Sequence, residues 1–236
     1  MESLDDIVGF KNRKIYQNRD FFCFSSDSLL LSYYVDIKKN DKNVLELGVG
    51  NGVNLLILSK RYQQKMIGID IRKENIVLAQ KSIEYNHLDD QLKVMELNIK
   101  DCYKKLGNDK YDVILCNPPY YSASTNKDTI KGIAKSEKEI TLDEIFNEVK
   151  KLLKNSGRFY LVYPTTNLEN IITLTKKYNL NVKNIRYVYY DEAKSSKVML
   201  LKICKNSKTG LIVEKPLILF KNGKKTREYK EMLGEI

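Results

Sequence analysis

From residue 43 onward, short apolar runs alternate with stretches of helical periodicity, and this alternation constrains the fold more than any other feature of the sequence. Residues 43–47, 65–70, 92–97, 111–116 and 157–163 read as strands. The intervening stretches 53–62, 73–85 and 142–153, and 168–177 after the fifth run, read as helices. Strands separated by helical segments are the signal for parallel βαβ units. The run at 111–116 is almost wholly apolar after its start, as a strand covered on both faces should be. After residue 177 the pattern changes: 182–190 and 197–205 are two β runs joined by a short polar link, which reads as a hairpin. The expectation is an α/β fold, a doubly wound and mostly parallel seven-stranded sheet with an antiparallel last strand.

The expected layout is a single domain over 1–236, with an N-terminal extension at 1–42, a core at 43–205 and a tail at 206–236. In the extension, 21–24 is a candidate strand and 28–35 a candidate helix, with Ser26 or Asp27 as its N-cap. The tail reads as an extra hairpin edge or a helix. No run approaches the length of a membrane span, and the acidic N-terminus lacks the regions of a signal peptide. Cys23, Cys102, Cys116 and Cys204 include no C-x-x-C pair, and there is one histidine, His87. No metal site or disulfide framework is expected, and buried thiols in a reducing cytoplasm are the natural reading. The formal net charge of +11 invites a polyanionic partner, yet a lysine-rich composition from AT-rich coding gives the same profile.

The turn after the first core strand is Glu46-Leu47-Gly48-Val49-Gly50-Asn51-Gly52. Glycines there let backbone approach a ligand and present N–H groups at a helix N-terminus. The dinucleotide fingerprint would place its third glycine at position 53, which is Val53. A carboxylate at Glu46 would repel a pyrophosphate, but it suits a ligand carrying an ammonium and a sulfonium, S-adenosylmethionine. The alternative is a tight βα turn with a solvated Glu46. Asp70 closes the second core strand, where a carboxylate can accept both ribose hydroxyls of an adenosine or else cap the next helix. A further contact to adenine is expected at Asn98 and the Ile99 backbone N–H, with a plain surface turn as the alternative.

Asn117-Pro118-Pro119-Tyr120 ends the fourth core strand, at the edge where ligands of doubly wound sheets sit. An exocyclic amine on adenine is a poor nucleophile because its lone pair is delocalised into the ring. The Asn117 side-chain oxygen and the Pro118 carbonyl can take its two N–H protons and localise that lone pair. Pro119 would hold the turn rigid, and Tyr120 would stack on the extruded base. Displacement at a sulfonium methyl needs alignment more than acid–base chemistry, in keeping with a chain that has one histidine. The alternative is a rigid surface turn.

With these residues in view, the chain resembles the Rossmann-like class I methyltransferases that act on amino groups, and more narrowly the bacterial tRNA(Val) adenine-N6 methyltransferases. The resemblance runs from about Gln17 to Tyr163 and more faintly into the tail. It rests on the glycine turn, Asp70, the Asn-Pro-Pro-Tyr tetrapeptide and Phe22-x-Phe24-x-x-Asp27-x-x-Leu30-Leu31, with Glu84-x-Asn86-x-Leu88 and 223–228 also similar. It implies methylation of N6 of the adenine just 3′ of the anticodon, with tRNA held at the anticodon stem-loop, in a cytoplasmic monomer or weak dimer. The family favours Asp where this chain has Asn98, and a histidine before Glu137 is missing. The segment 121–139 is a candidate lid. Lys11, Arg13, Lys14 and 221–227 are candidate RNA contacts, against the alternative of a solvated lysine-rich exterior. Competing expectations are methylation of an rRNA base or a protein glutamine, and a non-catalytic RNA-binding scaffold. The forty residues before the first core strand are too few for the helical domain of release-factor glutamine methyltransferases.

Overall fold

The structure, a computed structural model, describes residues 2–7, 9–10, 12–18, 25–119 and 140–236. The core is β3 (Asn43–Leu47), α2 (Val53–Arg61), β4 (Lys65–Asp70), α3 (Lys73–Tyr85), β5 (Leu92–Glu96), α4 (Tyr103–Leu106) and β6 (Tyr111–Cys116), followed by α5 (Leu142–Leu152), β7 (Leu153–Pro164), α6 (Leu168–Lys177), β8 (Leu180–Asp191) and β9 (Val198–Lys205). The seven expected strands lie in the order β5-β4-β3-β6-β7-β9-β8. All are parallel except β9, which pairs antiparallel with both β7 and β8. The doubly wound sheet with its antiparallel last strand is therefore present. Because βα crossovers lay helices on both sides, the sheet has a hydrophobic cluster on each face. Val44, Val113, Leu115 and Val162 point to the face of α2. Leu45, Leu47, Ile114, Cys116 and Leu161 point to the face of α5 and α6.

The two ends differ from expectation. A β-hairpin, β1 (Glu2–Asp6) with β2 (Lys14–Asn18), precedes the first helix. It is held on α3 by tertiary bonds: Ser82 Oγ accepts from Tyr16 N at 2.9 Å and Asn86 Oδ1 from Lys14 N at 3.1 Å. The strand expected at 21–24 lies outside the described residues. Helix α1 (Ser26–Tyr34) is present, but its N-cap is Ser25 rather than Ser26 or Asp27. The backbone is extended at Ser25, and Asp27 falls in the first turn, where a carboxylate favours the helix dipole without capping it. The tail forms β10 (Ile212–Val213), β11 (Leu217–Lys221), β12 (Lys224–Lys225) and α7 (Arg227–Met232). It extends the sheet to ten strands, with β10 and β11 parallel to β8. Leu217, Leu219, Met232 and Leu233 are buried in the same cluster as α1 and α2, so both ends share the main core. Among the described residues no helix is long and apolar enough to cross a membrane.

Candidate active site

Strand register sets the geometry of the site. Leu47 pairs with Cys116 on one side and with Ile69 on the other. The next residues, Gly48, Asn117 and Asp70, therefore leave the sheet at one level on three adjacent strands. At ~4.8 Å per strand spacing, Asn117 and Asp70 lie about 10 Å apart with the glycine turn between them. Side-chain alternation then puts Glu46 and Asn117 on the face of α1 and α2, because their neighbours Leu47 and Cys116 face the other cluster.

Gly48, Gly50 and Gly52 have φ of +74°, +54° and +87°, a conformation that a side chain disfavours. The turn is laced to the end of β4: the N–H groups of Gly48 and Val49 both donate to the Ile69 carbonyl at 2.9 Å. Gly68 permits this approach, since a Cβ there would lie 2.4 Å from Val49 Cγ2. Asp70 completes the lacing. Its Oδ2 accepts from Gly50 N at 3.0 Å and from Asn75 Nδ2 at 3.2 Å, and its Oδ1 accepts from Arg72 N at 2.8 Å. A carboxylate accepts about four hydrogen bonds, so Asp70 as it stands shapes the loop and keeps about one acceptor position for a ligand.

Glu46 is not solvated; it is 1% exposed. Its Oε1 accepts from Asn54 Nδ2 at 2.6 Å, and Asn54 Oδ1 accepts from Ser32 Oγ at 2.7 Å. Its Oε2 is buried with no hydrogen-bond partner among the described residues. Burial pushes the Glu46 carboxyl up to about 8, with the charge of Asp70 acting in the same direction and the Asn54 bond against it. Asn51 is fully buried, and neither its Oδ1 nor its Nδ2 is partnered among the described residues. An unmet buried polar group costs ~1–3 kcal/mol, and three such atoms, Glu46 Oε2 and both polar atoms of Asn51, lie beside one glycine turn.

The Asn117 amide donates from Nδ2 to Ser28 Oγ at 3.0 Å. Pro118 is buried and Pro119 exposed. Tyr120 and the candidate lid at 121–139 lie outside the described residues. Leu97 N donates to the Asp70 carbonyl, which places the end of β5 beside the site. Asn98 is exposed there, however, and its Oδ1 already accepts from Lys100 N at 2.9 Å, closing a local turn. Ile99 is half-buried and its carbonyl accepts from Cys102 N. The structure thus brings Glu46, Gly48, Gly50, Asn51, Asp70, Asn117 and Pro118 together. Asn98 and Ile99 follow the end of β5 beside Asp70, in a turn closed by Lys100 N on Asn98 Oδ1 and Cys102 N on the Ile99 carbonyl.

Several residues of this neighbourhood were not singled out in the sequence, among them Gly68 and Asn75. Ser28, Ser32 and Asn54 are buried and hold Asn117 and Glu46. Ser28 and Ser32 stand four apart in a helix, a spacing that puts them on one face, but serines carry no signal of their partner. Ile71, next to Asp70, is 50% exposed. Of the candidate RNA contacts, Lys14 pairs with Asp6 at 2.8 Å. Its backbone is bonded to Asn86, just beyond the far end of α3, and α3 carries the chain ~18 Å back from the site. Lys221, Lys225 and Arg227 pair with Glu192, Glu235 and Glu231. Lys11 lies outside the described residues.

A family model described as "Methyltransferase domain" matches residues 38–230. A relative from Cytophaga hutchinsonii, named tRNA1(Val) (adenine(37)-N6)-methyltransferase, is 27% identical over 192 residues, covering 81% of this chain and 80% of the relative. A protein of the same name from Bacteroides thetaiotaomicron is 24% identical over 229 residues, covering 96% and 94%. Among solved structures, a predicted O-methyltransferase from Agrobacterium tumefaciens superposes with a TM-score of 0.70 at 16% identity, covering 89% of this chain and 95% of that one; at that identity the likeness is one of fold. With its glycine turn and ordered sheet, and a family match over most of its length, the chain belongs to the methyltransferase-domain family.

Proposed function

We propose that the protein transfers a methyl group from S-adenosylmethionine to the exocyclic N6 amine of an adenine in tRNA, at position 37 of tRNA(Val). The observation that carries the reading is the register that sets Asn117, Gly48 and Asp70 side by side at one sheet edge. The relatives' names point to the same substrate, and one of them matches over nearly the full length of both chains.

The residues present fit this cofactor. Glu46 Oε2 and both polar atoms of Asn51 lack partners among the described residues, and they offer an acceptor for an ammonium and a matched pair for a carboxylate and its neighbours. The remaining acceptor position of Asp70 suits a ribose hydroxyl, and exposed Ile71 offers an apolar face to adenine. Bound there, the cofactor supplies an electrophilic methyl group. The chain's own contribution is orientation. Asn117 Oδ1 and the Pro118 carbonyl each hold one N–H of the target amine, which localises its lone pair in the direction of attack. Ser28 fixes the amide that does this.

The test is incubation with methyl-labelled S-adenosylmethionine and unmodified total RNA, followed by digestion to nucleosides. N6-methyladenosine in tRNA(Val) is expected, and Asn117→Ala should abolish it while cofactor affinity stays within about twofold. Label in rRNA with none in tRNA, or no label in RNA at all, would overturn the reading.

A further inference from the structure

Strands β7, β8 and β9 rise past the level at which β6 stops. Asn117 follows Cys116, which pairs with Leu161, so its level corresponds to Val162 on β7, Leu200 on β9 and Arg186 on β8. Beyond that level β7 continues to Pro164 and β8 to Asp191. The projecting ends form a wall beside the candidate active site. An open pocket of this wall is lined by Tyr187, Tyr189, Glu192, Lys194, Ser196 and Thr165, among others.

The floor of this pocket is pinned by hydrogen bonds. Ser196 Oγ bonds the carbonyls of Val188 and Val198 at 2.8 and 2.9 Å, and Thr165 bonds the carbonyls of Ser196 and Lys197 at 3.0 Å each. Tyr187 and Tyr189, two apart on β8 and so on one side of it, are both half-buried. Lysines surround it: Lys194 and Lys197 are exposed in the β8–β9 link, and Lys221 and Lys224, also exposed, flank the turn between β11 and β12. That turn is at the same edge, because β11 runs parallel to β8 with Phe220 opposite Asp191. The acidic member, Glu192, is met by Lys221 Nζ at 3.1 Å.

Resting on the function proposed above, we infer that this pocket is a second nucleotide site, taking an unstacked base of the same RNA a few nucleotides from the methylated adenine. Tyr187 and Tyr189 supply aromatic surface and hydroxyls to the base, and Lys194 and Lys197 meet the adjoining phosphates. Aromatic side chains bind single-stranded bases by stacking, and lysines add a salt-dependent hold on the backbone. The separation suits one strand of RNA. Three strand spacings put the pocket ~14 Å across from Asn117, and because Tyr187 packs on the α5 and α6 face while Asn117 is on the α1 and α2 face, the strand of RNA would pass over the carboxyl ends of the sheet. It stands up to three residues further along the strands, ~10 Å. The site explains how a compact chain can choose among adenines: the target is the one whose neighbour also reaches the wall.

The experiment measures equilibrium binding of an unmodified anticodon stem-loop, and steady-state methylation, for wild type, Tyr187→Ala/Tyr189→Ala and Lys194→Ala. The double variant should bind RNA at least tenfold more weakly and raise KM for RNA. S-adenosylmethionine affinity and kcat at saturating RNA should be held. Lys194→Ala should lose less and show a flatter salt dependence. Photocrosslinking of thiouridine-substituted RNA to wild-type protein supplies a readout free of folding effects, with crosslinks expected in 187–197. Unchanged affinity in a folded double variant, or crosslinks confined to other segments, would overturn the pocket while leaving the methylation reading intact. Wild-type protein that binds no RNA would overturn both.

Discussion

The buried carboxyl of Glu46 has a measurable consequence at the scale of a single residue. Its ordinary value of 4.5 is raised to about 8 by loss of solvent. Between these values the unfolded chain has released the proton and the folded chain still holds it. Stability of the ligand-free protein therefore falls as pH rises from about 4.5 to about 8 and levels off above. Glu46→Gln keeps the shape and removes the titration. Thermal unfolding at pH 5 and pH 8 should show wild type losing more Tm than the variant over that interval. Equal losses would mean that Glu46 ionises as a solvated carboxylate does. The sequence made this residue visible as an acid at the entry of a glycine turn, but not its burial. Burial depends on Asn54 and Ser32, which arrive from two helices. Gly68 was hidden for a similar reason: what forbids its side chain is Val49, in a turn nineteen residues earlier.

Helix α1 joins two halves of the candidate site. Ser28 receives the Asn117 amide, and one turn on, Ser32 donates to Asn54, the partner of Glu46. Both serines are buried, at 4% and 0% exposure, so neither hydroxyl has water as a substitute. Ser28→Ala should lower kcat about tenfold, ~1.4 kcal/mol, with cofactor affinity unchanged, and Ser28→Thr should restore most of it. Ser32→Ala should act on the other side, weakening cofactor binding with a smaller effect on kcat at saturation. Calorimetry and steady-state rates on the two variants check this split; the same pattern for both would show that α1 acts only by packing. Elements with a strong period were legible, since βα alternation and apolar strands identify themselves. The hairpin before α1 was not. Its first strand, Glu-Ser-Leu-Asp-Asp, has the composition of a loop, and its second is fixed by bonds to Ser82 and Asn86 on α3. The tail strands were legible only as an edge or a helix because β10 and β12 have two residues each, too short for any alternation to show.

At the scale of the whole molecule, the two ends of the chain meet. Gly9, in the turn of the N-terminal hairpin, has φ of +77°, and a Cβ there would lie 1.3 Å from the Leu233 carbonyl oxygen. Leu233 and Met232 are buried in the core that also takes Ile7 and Ile15 from the hairpin. This contact closes a ring: hairpin on α3, tail on β8 and α1, and each end against the other. A comparison of two glycines isolates its contribution. Gly223 has nearly the same backbone, φ of +72°, but nothing within 4 Å of an added Cβ. Gly223→Ala carries only the backbone cost of a left-handed residue, ~1–2 kcal/mol. Gly9→Ala adds to that a collision with main chain that no rotamer relieves, so the ends must part. At ~2–4 °C of Tm per kcal/mol for a chain of this size, Gly223→Ala should lose a few degrees and Gly9→Ala clearly more. Gly9→Ala should also speed amide exchange in β1, β2 and α7 while exchange in β3, β4 and β6 stays slow. Equal Tm losses, with no added exchange at either end, would show that the ends fold independently of each other.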